Sequence, residues 1–66
     1  MSITLNGQAH PLAAPLTVAG LLETLGLGGK PVVVELDHAA LSPAEHATAM
    51  VADGARVEIV VLAAGG

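Results

Sequence analysis

The sequence predicts an α+β fold: a mixed four- to five-stranded sheet with one main helix packed across it. Three observations carry that expectation. Asn6-Gly7 stands between two short alternating segments and is the strongest short hairpin signal, because both central positions of a type I′ turn need positive φ. Val18, Leu21, Leu22 and Leu25 fall at i, i+3, i+4 and i+7, one apolar stripe on a helix. Two later runs, Pro31 to Leu36 and Arg56 to Leu62, alternate in the manner of half-buried strands.

The elements follow in order. Met1 to Leu5 alternates apolar and polar residues, and Gln8 to Leu12 is its return strand, ended by Pro11 and Pro15. Thr17 caps the helix by accepting a bond from an early backbone N–H, and Gly26 supplies the left-handed residue at its end. Gly20 weakens a helix of only two to three turns and marks close packing on the sheet. In Pro31 to Leu36, Val32, Val34 and Leu36 share one face, with Val33 and Glu35 on the other. Asp37-His38 makes a turn into a short segment, Ala39 to Leu41. Ser42-Pro43-Ala44-Glu45 has capping-box spacing with proline at the first helical position, so one helical turn follows. After a turn at Asp53-Gly54, the last strand places Val57, Ile59 and Val61 inward and Glu58, Val60 and Leu62 outward. No crossover helix separates the first two strands, so a doubly wound sheet is excluded. The first and last strands can lie side by side in parallel, which is the β-grasp arrangement. The domain spans residues 1–62, and residues 63–66 form a flexible Gly-Gly tail.

Composition narrows the function. Sixty-six residues make one domain with a small core, and a chain of that size buries only about 60 % of its unfolded surface. Cysteine is absent, so there is no disulfide and no cysteine nucleophile. Lys30 and Arg56 stand against six acidic residues, and there is no aromatic side chain, which argues against nucleic-acid binding. The apolar runs are too short to span a bilayer, and Met1-Ser2-Ile3-Thr4 lacks the basic start of a signal peptide. A cytoplasmic protein is expected.

The feature that carries chemistry is the end of the sequence, Ala63-Ala64-Gly65-Gly66, directly after a strand. Chain ends are often small and frayed, so the placement on a β-grasp pattern matters more than the glycines alone. A carboxylate is a poor acyl electrophile, and transfer of AMP from ATP makes a mixed anhydride that a sulfur nucleophile can attack. An extended Gly65-Gly66, lacking Cβ atoms, can thread a narrow channel in the partner that performs that chemistry. The Gly66 carboxylate is then the reacting group, with Gly65, Ala64 and Ala63 as its slender lead.

These residues resemble the sulfur carrier proteins of thiamine thiazole biosynthesis (ThiS), relatives of ubiquitin. The resemblance covers essentially the whole chain. It rests on the Asn6-Gly7 hairpin, Thr17-Val18-x-x-Leu21-Leu22-x-x-Leu25, Val32 to Leu36, Ser42-Pro43-Ala44-Glu45, Asp53-Gly54 with Val57-Glu58-Ile59-Val60, and terminal Gly65-Gly66. The family often has Asn-Gly at Asp37-His38, Arg at Ala44, Trp at His46 and a second Asp at Ala55. The resemblance implies a protein that is not itself an enzyme and binds no cofactor. An E1-like adenylating enzyme would use ATP to activate Gly66. A sulfur donor enzyme, a cysteine desulfurase or rhodanese-like protein, would then supply sulfur for a thiocarboxylate passed to thiazole synthase. In such complexes the outward Val33, Val60 and Leu62 form an apolar docking patch; ordinary surface exposure is the alternative. A molybdopterin synthase small subunit shares the fold and the Gly-Gly end but is usually longer and richer in aromatics. A β-grasp interaction domain with a fortuitous Gly-Gly end is the reading from another class.

Other signals are discounted. His10, His38 and His46 with Glu45 match no zinc spacing, so no metal is expected. His10 pairs opposite Ile3 through the Asn6-Gly7 turn. Gly26-x-Gly28-Gly29-Lys30 lacks phosphate-loop spacing, and Lys30 precedes Pro31 instead of opening a helix, so it reads as a helix C-cap loop.

Overall fold

The structure, a computed structural model, describes residues 1–63. The chain runs β1 (Ser2–Leu5), β2 (Gln8–Pro11), β3 (Leu16–Thr17), α1 (Val18–Thr24), β4 (Val32–Leu36) and β5 (Ala39–Ala40). A 3-10 helix (Pro43–Ala47), β6 (Met50–Val51) and β7 (Arg56–Val61) complete it.

Among the described residues, five strands form a mixed sheet in the order β2-β1-β7-β4-β5. Local backbone chemistry builds its hairpins. Asn6 (φ 49°) and Gly7 (φ 82°) make the two-residue turn that sets Leu5 opposite Gln8 and Ile3 opposite His10. Asp37 (φ 50°) and His38 (φ 71°) do the same between β4 and β5, pairing Leu36 with Ala39. β7 lies between β1, to which it is parallel, and β4, to which it is antiparallel. First and last strands therefore meet at the centre of a β-grasp.

Thr17 Oγ1 accepts the Gly20 N–H at 3.0 Å and starts α1. The helix ends at Leu25 in a Schellman motif: Leu27 N–H donates to Leu22 O at 2.8 Å and Gly26 N–H to Glu23 O at 3.1 Å. Gly26, at φ 74°, takes the left-handed position, so the glycines before Lys30 serve as a helix exit.

The core lies between one sheet face and α1. Ile3, Val34, Val57 and Ile59 come from the main sheet, Val18, Leu21 and Leu22 from α1, Val51 from β6, and Leu12 and Ala55 from the connections. Leu25 is only half-buried at its edge.

Two expectations are corrected, and one pairing was not anticipated. A small second sheet, β3 with β6, pairs Leu16 with Val51 and Thr17 with Met50, and two residues per strand are too few for an alternation to show. Gly20 is close to Leu16 and the Thr17 cap, not to the main sheet: a Cβ there would lie 3.3 Å from Thr17 Oγ1 and 3.4 Å from Leu16 Cδ1. Val61 has the inward parity of Val57 and Ile59 but is 51 % exposed, since it stands opposite half-buried Val32 on the last rung of the β4–β7 ladder.

Candidate functional site

β7 carries the chain out of the core toward its last residues. Its register is held from both sides. Asn6 Oδ1 accepts the Ile59 N–H at 2.7 Å where β1 ends, and Asp37 Oδ1 accepts the Arg56 N–H at 2.9 Å beside β4. Leu62 N–H donates to Pro31 O at 2.9 Å, one rung beyond β7. The backbone is thus tied to the sheet up to Leu62. Ala63 follows, exposed and outside any strand. Ala64, Gly65 and Gly66 lie outside the described residues.

The outer sheet face runs alongside. Val33 stands opposite Val60 on one rung, and Leu62 continues the same face two residues along β7. Their exposures are 44 %, 58 % and 48 %, so the structure brings the three expected docking residues onto one open face. Two rungs on, and on the same face, Glu35 stands directly opposite Glu58, and Arg56 follows on the same side of β7. Sequence reading placed Glu35 and Glu58 outward but missed their opposition, which needs the β4–β7 register.

The remaining polar groups are dispersed. His10 is on β2, His38 in the β4–β5 turn and His46 in the 3-10 helix. Among the described residues no group of three or more His, Cys, Asp or Glu could hold a metal ion. Among the described residues His46 Nε2 is buried without a hydrogen-bond partner, and His46 helps line a cavity of about 280 Å³ between α1, Lys30, Pro31 and Pro43. The 3-10 helix is capped by Ser42, whose N–H donates to Glu45 Oε1 at 2.8 Å. That bond, with a second from the Ser42 side chain, holds the Glu45 carboxyl below its ordinary value. No described helix is long and apolar enough to cross a membrane.

Comparisons with known proteins agree with this geometry. The profile of the ThiS family matches residues 3–66. The chain is similar to the crystal structure of a thiamine biosynthesis protein (ThiS) from Geobacter metallireducens, with 32 % identity, a TM-score of 0.85 and full coverage (100 %) of both chains. It is also similar to the NMR solution structure of a thiamine biosynthesis protein from the same organism, with 32 % identity and a TM-score of 0.83 over 100 % of this chain and 88 % of that one. No curated protein matches the chain.

Proposed function

Because the chain belongs to the ThiS family, we propose that it is a sulfur carrier of thiamine biosynthesis, with the Gly66 carboxylate as the group that carries sulfur. The observation that supports this most is the family match reaching residue 66 on a β-grasp whose central strand runs directly into Ala63-Ala64-Gly65-Gly66. The protein is a substrate of its partners and performs no catalysis itself. It acts in the cytoplasm.

In the proposed sequence, a Gly66 carboxylate oxygen attacks the α-phosphorus of ATP in an E1-like adenylating enzyme, and pyrophosphate leaves. A persulfide sulfur supplied by a cysteine desulfurase or rhodanese-like enzyme then attacks the acyl carbon, and AMP leaves. A second thiol cleaves the resulting S–S bond, releasing the thiocarboxylate and forming a disulfide. Thiazole synthase receives the sulfur. The chain's own contribution is geometric: β7, held in register from both sides and bonded on through Leu62, fixes the point from which the last residues are presented, which favours productive placement. The two Geobacter metallireducens structures described above are thiamine biosynthesis proteins, which favours this reading over a molybdopterin synthase subunit.

The test is the intact mass after reaction with adenylating enzyme, ATP and a sulfur donor. One oxygen exchanged for sulfur, localised by fragmentation to Gly66, is expected. Gly65→Val or an added residue after Gly66 should abolish the change with folding intact. Modification elsewhere, or none with several adenylating enzymes of this class, overturns the proposal.

A further inference from the structure

The outer face of β4 and β7 carries a pairing that the fold does not need. Glu35 and Glu58 are directly opposed on a ladder rung bracketed by the Leu62–Pro31 and Asp37–Arg56 backbone bonds. Like charges facing one another across a sheet destabilise it. The chain sets one cation against this pair: Arg56 lies two residues from Glu58 on the same face, at the end away from the tail, while Lys30 lies beyond the opposite end of β4. The face reads, toward the tail, as one arginine, a pair of carboxylates, then Val33, Val60 and Leu62, each about half exposed.

We infer that this face docks a partner surface presenting an arginine beside an apolar side chain, the guanidinium bridging Glu35 and Glu58 while the apolar group covers Val33, Val60 and Leu62. Carboxylates on a hydrogen-bonded antiparallel rung have Cα atoms about 5.5 Å apart. A planar guanidinium, with five donors spread along its edges, can give one edge to each, which the point charge of a lysine does less well. The charge sign selects the occupant. A second copy of this chain would bring its own glutamate pair and net charge of −4, so self-association through this face is disfavoured. Leu62 is both a member of the patch and, among the described residues, the one nearest the end of the sequence whose backbone bonds to the sheet, so a partner seated here holds the reacting end near its own site. The inference rests on the carrier reading and assigns the occupant to the adenylating enzyme.

The experiment measures pyrophosphate exchange and direct calorimetric binding with the purified adenylating enzyme of the same organism. It uses wild type, Glu35→Gln, Glu58→Gln, the double variant, Val60→Asp and a control, Glu23→Gln, on exposed α1 surface. The double variant should raise KM by about tenfold with kcat unchanged, as loss of a charge-assisted contact does. Its melting temperature should stay level or rise, since the repulsion is gone. The salt dependence of wild-type KM should weaken in the double variant, and Val60→Asp should weaken binding without unfolding. Glu23→Gln should match wild type. An unmoved KM in the double variant, or an equal effect of Glu23→Gln, overturns the inference while leaving the carrier reading in place. Wild-type protein that neither binds nor supports exchange overturns both, and dimerisation through this face in sedimentation overturns the assigned occupant.

Discussion

The side-chain oxygen of Asn6 accepts the backbone N–H of Ile59 at 2.7 Å, a bond spanning 53 residues of sequence. Asn6 also donates its own N–H to Val57 O at 2.9 Å. One residue therefore turns the first hairpin and ties the last strand beyond the point where β1 ends. Asp37 repeats the arrangement on the other side, donating to Arg56 O at 2.8 Å and accepting Arg56 N–H at 2.9 Å. Positive φ makes each residue a turn former, and a short polar side chain makes each a strand tie.

Asn6→Ala should lower stability by about 1–3 kcal/mol, since the half-buried Ile59 N–H loses its acceptor. Asn6→Gly separates the causes, keeping the turn while removing the tie. Urea denaturation of both variants measures it, and wild-type stability in Asn6→Gly would show that the bond contributes nothing.

Leu22→Ala should cost about 2–5 kcal/mol, comparable with the ~3–5 kcal/mol that so small a core supplies. Leu22 is buried in the core cluster and is also the carbonyl that closes the Schellman motif at α1. A thermal melt near that of wild type would place the core elsewhere.

His38→Gly should raise stability by about 0.5–1 kcal/mol. His38 sits at φ 71°, where a side chain costs roughly 1–2 kcal/mol, and glycine returns about 0.5–1 of that in unfolded-state entropy. The same urea experiment reads the sign, and a loss of stability would reveal a contact made by the imidazole.

Acid should loosen the 3-10 helix through Glu45. Its folded pKa is lowered from 4.5 by hydrogen bonds from the Ser42 backbone first and the Ser42 side chain second. A lowered folded pKa means that the contribution is complete above about pH 4.5 and is lost as pH falls through the folded value. The Ser42 amide resonance should follow that titration, and Glu45→Gln should lack this component of acid destabilisation. Equal acid slopes in both proteins would contradict it.

What was legible in the sequence was local. The Asn6-Gly7 turn, the Thr17 cap, the Gly26 exit and the Ser42–Glu45 spacing each depend on a few neighbouring residues whose φ preferences or side-chain reach are intrinsic. The apolar stripe of α1 and the alternation of β4 and β7 likewise announced which faces turn inward, and Val34, Val57, Ile59, Val18, Leu21 and Leu22 are buried accordingly. The outward parity of Val33, Val60 and Leu62 was readable for the same reason.

The sequence by itself therefore determined the hairpins, the helix and its ends, because those follow from short-range sterics and period. Tertiary structure alone decided the rest. The β3–β6 ladder joins segments too short for any period, and Val61, on the last rung of the β4–β7 ladder, is exposed despite its inward parity. The strand ties from Asn6 and Asp37, and the opposition of Glu35 with Glu58, exist only once β7 is set between β1 and β4 in one register. Register is a relation between distant segments, fixed by which apolar residues share a core, and no local window contains it.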